Sequence, residues 1–148
     1  MESNMAVAYA VGPIKRHQFD KAYRLVDAAG CHFDLQGWRE FCAATVTRMC
    51  SPEGIVTAEN PLGYIAGICI MRPVQNETYG RMLDVPVFII TSAADTRGVA
   101  NALLAYFTVV ARKYNCGFIR VAALDPTDWP SSIATSPREG RGILIPVQ

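Results

Sequence analysis

Asp84 to Phe107 reads DVPVFIITSAADTRGVANALLAYF: an apolar run, a loop of small residues, then apolar residues at helical spacing. The first part is short and rich in Val, Ile and Phe, the pattern of a strand buried on both faces. From residue 98 to 114 the period changes, and Val99, Leu103, Tyr106, Phe107, Val110 and Tyr114 fall on one helical face. Arg112 and Lys113 then lie in the last turn, where cations complement the helix dipole, and Asn115-Cys116-Gly117 ends it. Phe118 to Leu124 (FIRVAAL) reads as the next buried strand. Strand, helix and strand in that order predict a crossover joining two parallel strands. Pro86 cannot donate to a ladder, so it predicts a bulge or an unpaired edge inside the first of them.

The junction between strand and helix is the chemically informative point. The first turn of any helix carries unpaired N–H groups and the positive end of its dipole. Gly98 and Ala100 remove side-chain bulk there, so a phosphate could approach the amides, and Arg97 could add a charge-assisted contact. A first turn of small residues with nothing bound is the plain alternative.

Outward from this segment, Gly54–Glu59 (GIVTAE) and Tyr64–Met71 (YIAGICIM) read as strands separated by the turn Asn60-Pro61-Leu62-Gly63. Pro73 to Gly80 is polar and turn-like, and Arg81 to Thr91 completes an antiparallel three-strand meander. Upstream, Phe19, Ala22, Tyr23, Val26 and Ala29 mark one helix, with Gly30 as its stop. Leu35, Trp38, Phe41, Cys42, Thr45, Val46 and Met49 mark a second, with Asp34 as N-cap and Ser51-Pro52 as its end. Residues 5–15 read as an opening strand bent at Gly12-Pro13. The Pro- and Ser-rich tail from Asp125 holds one late strand, Gly142–Val147, that could pair across a homodimer. Without repeats or linkers, residues 1–148 read as a single α/β domain with a mixed sheet.

Composition narrows the class. Fourteen Lys and Arg against thirteen Asp and Glu give a net charge of +1, and the early helices carry no basic face, which argues against nucleic acid. The apolar stretch Met5–Val11 is too short to span a membrane. Five cysteines without a Cys-x-x-Cys pair predict buried, reduced thiols, no metal site and a cytoplasmic protein. Cys31-His32 are sequence neighbours whose side chains point apart, so they do not make a nucleophilic dyad.

The order of elements (strand, two helices, three-strand meander, then strand-loop-helix-strand) resembles the GNAT superfamily of N-acetyltransferases over roughly residues 5–124. In that family a Gln/Arg-x-x-Gly-x-Gly/Ala signature opens the long helix, and its amides hold the pyrophosphate of acetyl-CoA. The matching residues here are Asp95-Thr96-Arg97-Gly98-Val99-Ala100, followed by Asn101-Ala102-Leu103-Leu104. Gly98 and Ala100 fit. Asp95 departs from the usual Gln or Arg and suits a helix N-cap instead, with Arg97 supplying the cation. The resemblance implies that Asp95 to Asn101 hold acetyl-CoA as co-substrate. It also implies that Phe88, Ile89 and Ile90 pair their backbone with the pantetheine arm as if it were an added strand.

Acetyl transfer to an amine needs a proton removed from the ammonium and, preferably, one supplied to the leaving thiolate. Some members of the family place an acid eleven positions before the signature, which here is Asp84; Glu59 and Asp34 are weaker candidates. The family's usual acid is a Tyr that follows the strand after the long helix. Counting from Val121 puts Ser132 there, and Pro126 and Pro130 break the helix expected around it, so Tyr79 is an equal candidate. The resemblance implies a small-molecule or peptide amine as acceptor, met by the segments 30–36 and 125–141, with Trp129, Arg138 and Arg141 as lining candidates. The other reading is a non-catalytic domain of this fold that binds acyl-CoA or a protein partner.

Overall fold

The computed structural model describes residues 8–28, 34–47, 53–91, 94–122, 138–139 and 142–147. The expected segments at residues 5–7, the helix ends at Ala29-Gly30 and Met49, the breaker Ser51-Pro52, and the tail from Asp125 through Pro137 lie outside them.

The described chain builds a seven-stranded mixed sheet with helices on both faces. Strand β1 (Ala10–Pro13) is followed by a short 3-10 turn and helices α1 (Phe19–Ala28) and α2 (Leu35–Val46). The meander β2 (Gly54–Glu59), β3 (Ile65–Asn76) and β4 (Gly80–Ile90) leads into α3 (Thr96–Lys113). Then come β5 (Phe118–Ala122), β6 (Arg138–Glu139) and β7 (Gly142–Pro146). The spatial order is β1-β2-β3-β4-β5-β7-β6, antiparallel except for β4 beside β5, the pair joined by α3. The late strand therefore lies inside the sheet. Its residues 142–146 pair with β5, while β6 takes Gly142 and Ile143 on the other side.

Two apolar layers hold the helices. On one face Val99, Leu103, Phe107 and Ala111 of α3 pack with Val56, Cys69, Leu83, Val85, Phe88 and Val121. A Cβ on Gly67 would lie 2.9 Å from Val99 Cγ1 and 3.0 Å from Leu103 Cδ1, so the glycine is what lets α3 sit so close to β3. On the other face Phe19, Ala22 and Val26 of α1 and Trp38 and Cys42 of α2 pack with Ile55, Ile65 and Ile68. Asp34 caps α2 as expected, its Oδ1 accepting from Gly37 N at 2.6 Å. Val46, read as part of the buried stripe, is exposed at the last turn.

Trp38 is fully buried and its Nε1–H donates to the carbonyl of Phe19 at 2.8 Å, tying α2 to the start of α1. Trp38→Phe leaves that carbonyl without its donor and opens a void where the indole was. We expect a loss of about 1–2 kcal/mol, read as a Tm fall of roughly 3–6 °C in a CD melt.

The sequence reading of Pro73–Gly80 as a turn is corrected. β3 runs on to Asn76, and Pro73 to Asn76 pair with Leu83 to Gly80. Pairing of β3 with β2 stops at Met71, so a proline beyond it meets a ladder on one side only. The true turn is tighter, closed by Asn76 Oδ1, which accepts from the amides of Thr78 and Tyr79, and by Gly80 at φ 75°. Helix α3 likewise begins two residues earlier than its apolar period shows, because Asp95 caps it.

Candidate functional site

Strand β4 changes partners along its length. Its first half pairs in parallel with β5, from Met82↔Phe118 to Val85↔Val121, and the pairing stops there. The irregularity that stops it is the one Pro86 predicts. Opposite β3, Ile70 pairs with Val87 and Arg72 with Asp84, so β4 carries one residue more than its partner. Beyond this bulge, Phe88 to Ile90 keep β3 on one side, and among the described residues no strand pairs on the other.

The direction of the backbone follows from one bond. Thr91 N–H donates to the carbonyl of Ala66 at 2.8 Å, toward β3. Main-chain groups alternate along a strand, so Ile89 also faces β3 while Phe88 and Ile90 turn theirs to the open edge. The side chains stay in the core: Phe88 packs against Phe107 with centroids 6.3 Å apart, and Ile89 packs in the α1–α2 layer.

The open edge leads to the first turn of α3, where Asp95 to Asn101 divide by role. Val99 and Ala100 are fully buried and pack α3 onto the sheet, and Val99 N–H already donates to the Asp95 carbonyl at 3.1 Å. Arg97 and Asn101 are exposed, and Thr96 and Gly98 are partly so. Asp95 is the N-cap, its Oδ1 accepting from Gly98 N at 3.3 Å. A Cβ built on Gly98 would collide with this carboxylate, Cγ being only 2.6 Å away. The carboxylate is itself held by Tyr9, whose hydroxyl donates to Oδ2 at 2.6 Å. Burial, then the hydrogen bond and charge of Asp95, push the Tyr9 phenol up to about 12, so it stays a neutral donor. The place expected for a diphosphate thus already holds an internal anion. Tyr9 was missed by sequence reasoning, for it stands 86 positions from its partner and no local pattern links them.

The proton-transfer candidates separate. Asp84 lies on β4 one residue before the parting, 4% exposed, on the face opposite α3. Its Oδ1 accepts from Arg120 Nε at 3.0 Å and its Oδ2 from Arg72 Nε at 3.4 Å, so both oxygens are engaged across three strands. Tyr79 is corrected as an acid: it sits in the β3–β4 turn, packed edge-on against Phe118 at 5.1 Å. That is the end of β4 farthest from the first turn of α3, on the order of 30 Å away along the strand. Ser132 lies outside the described residues, as do Trp129, Arg141 and the segment 29–33. Of the weaker alternatives, Glu59 accepts from Gln18 Nε2 at 3.0 Å and Asp34 is the α2 cap.

Cys42, Cys69 and Cys116 are buried free thiols, and burial pushes Cys42 up to about 12 and Cys69 well above the usual thiol range. Neither Cys42 nor Cys69 is a nucleophile at neutral pH. Among the described residues, no helix is long and apolar enough to cross a membrane.

No protein-family model and no curated protein sequence matches the chain. Solved structures do. The aminoglycoside 6'-N-acetyltransferase of Acinetobacter baumannii is 12% identical, with a TM-score of 0.65 over 79% of this chain and 80% of that one. A GNAT-family acetyltransferase from Staphylococcus aureus is 11% identical, with a TM-score of 0.62 over 95% and 100%. A fungal multi-domain beta-N-acetylglucosaminidase with a glucosamine N-acetyltransferase region is 11% identical, with a TM-score of 0.58 over 85% of this chain. The chain spans only 15% of that protein's length. At such identities the likeness speaks to architecture: this chain has the fold of the GNAT N-acetyltransferases.

Proposed function

We propose that the protein is an acetyl-CoA-dependent N-acetyltransferase that moves an acetyl group to a primary amine by direct attack in a ternary complex. The observation that carries this is the parting of β4 from β5 after Val85 and Val121, with the main chain of Phe88 and Ile90 aimed into it beside α3. A strand edge left open in this way offers a donor and an acceptor to an amide-bearing arm, as an added strand would. The buried free thiols suit a reducing, cytoplasmic setting.

The fit is good along the strand and conditional at the turn. Phe88 and Ile90 suit the pantetheine amides, and exposed Arg97 suits a phosphate. Asp95 must swing away from Gly98 before a diphosphate can take that amide. In the transfer the amine nitrogen attacks the thioester carbonyl, the carbon–sulfur bond breaks and CoA leaves as thiolate. The ammonium gives one proton to water before the attack, and the second proton that the attacking nitrogen sheds passes through water to the departing thiolate. With Asp84 held between two guanidinium groups, proximity in the ternary complex does most of the work.

Asp95 favours a second reading, a non-catalytic domain of this fold, because an internal carboxylate on Gly98 competes with any phosphate. Two measurements separate them. Acetyl-CoA at a hundred times its Kd should stabilise the protein by about 2.7 kcal/mol, seen as a Tm rise of roughly 5–10 °C. Thioester loss with a panel of primary amines then reports transfer. A shift without turnover on any amine supports a non-catalytic domain that binds acyl-CoA; the lack of any shift rejects the enzyme and leaves the second reading in its partner-binding form.

A further inference from the structure

Arg72, Asp84 and Arg120 form a row across β3, β4 and β5, set by the pairings Arg72↔Asp84 and Asp84↔Arg120. Their sequence neighbours Met71, Leu83, Val85, Ile119 and Val121 point into the α3 layer, so the row faces the other side. On that side the apolar layer of α1 and α2 takes Ile55, Ile65, Ile68, Ile70 and Ile89. A buried carboxylate needs a charged partner, and Arg120 meets that need at 3.0 Å with its side chain 28% exposed. Arg72 differs. Its side chain is 55% exposed, and it spends only Nε on Asp84, at 3.4 Å. The fork formed by its two terminal nitrogens has no partner among the described residues and is held in place by the row behind it.

We propose that Arg72 is the recognition residue for a carboxylate on the amine acceptor, with Asp84 as the positioning residue that aims it. The geometry favours this because the row sits one residue before β4 and β5 separate. A carboxylate on the Arg72 fork places an amine at the other end of a small molecule about 10 Å away, at the mouth of the gap. The carboxylate enters from the sheet face opposite α3, so it does not compete with a ligand at the helix turn. A planar guanidinium fork matches a planar carboxylate in a bidentate contact. The acceptor class is then a compact amino acid or short peptide with a free C-terminus. This deepens the proposed transfer reaction and rests on it for the word acceptor, but the carboxylate site can be tested alone.

The probes are N-acetylglycylglycine, the product such an acceptor would give, and its C-terminal amide. Each is titrated into the isotope-labelled full chain while the Arg72 Nε–H resonance is followed. We expect the acid to shift that resonance and to bind at least tenfold more tightly than the amide. Arg72→Gln should abolish the preference and Arg72→Lys should keep part of it, and both variants should stay folded with a Tm lowered by no more than roughly 5 °C, because Arg120 still pairs the buried carboxylate. Equal affinity for acid and amide, no binding of either, or a preference that survives Arg72→Gln overturns the proposal. Thioester loss from acetyl-CoA with glycylglycine against glycylglycinamide is the separate readout for transfer. Acid preference in the titration without turnover keeps the carboxylate site and removes the enzyme; turnover without acid preference does the reverse.

Discussion

Gly98→Glu is expected to lower acetyl-CoA affinity by at least a hundredfold while the protein stays folded. The glycine is the third residue of α3 and its amide already bonds the Asp95 cap. Any side chain at 98 lands on that carboxylate, so Asp95 has to rotate out. What gives way is the end of a short flexible side chain, not backbone. The cost is therefore about that of losing an N-cap, about 1 kcal/mol, partly offset because an acid in the first turn suits the helix dipole. A Tm change of no more than roughly 4 °C is expected. For a diphosphate the result is far worse. The new carboxylate would stand beside the amide in place of the displaced Asp95, and the close approach that only glycine allows would be closed by bulk. Isothermal titration of acetyl-CoA into wild type and variant reads this directly. Retained affinity in a folded variant would place the diphosphate seat elsewhere and remove the premise that the first turn of α3 is the ligand site.

What the sequence disclosed follows from the range of each interaction. The strand at 84–91, the helix behind it and the return strand at 118 were legible because their periods are local and their ends carry local punctuation. Pro86 told of the bulge for the same reason: a missing donor must be accommodated where it stands. Asp95 as a cap was legible too, three residues before the amide it serves. Other features depend on register. The length of β3 past Pro73 was hidden because a polar hairpin with one open side resembles a turn in composition. The row of Arg72, Asp84 and Arg120 needs the one-residue excess in β4 to be known before Arg72 can be set opposite Asp84. Asp84 was singled out by its distance from the helix, yet its arginines, the reason it can be buried at all, stand 12 and 36 positions away. Tyr79 failed as a candidate for a related reason: a loop residue belongs to the end of the sheet where its hairpin closes.

Asp95→Asn is expected to act in the opposite sense to Gly98→Glu, raising acetyl-CoA affinity by about tenfold or more. Asparagine caps helices about as well as aspartate, and its side-chain oxygen can keep the bond to Gly98 N, so stability should change by less than about 1 kcal/mol. What disappears is a negative charge 3.3 Å from the amide where a diphosphate would sit. Two like charges about 4 Å apart near a protein surface repel by up to about 4 kcal/mol. Rotation of the side chain and salt relieve much of that, which leaves about 1.4 kcal/mol, a factor of ten, as the lower expectation. Tyr9→Phe should give a smaller gain with the charge intact, since it only frees the carboxylate from the hydroxyl that pins it. The salt dependence separates the two causes. The advantage of Asp95→Asn over wild type should shrink between low and high ionic strength, whereas that of Tyr9→Phe should persist, because a released hydrogen bond is not screened. A weaker complex with Asp95→Asn would mean that the carboxylate supports the ligand directly, by orienting Arg97 or by accepting from the ligand, and the picture of an internal anion holding the diphosphate seat would have to be abandoned.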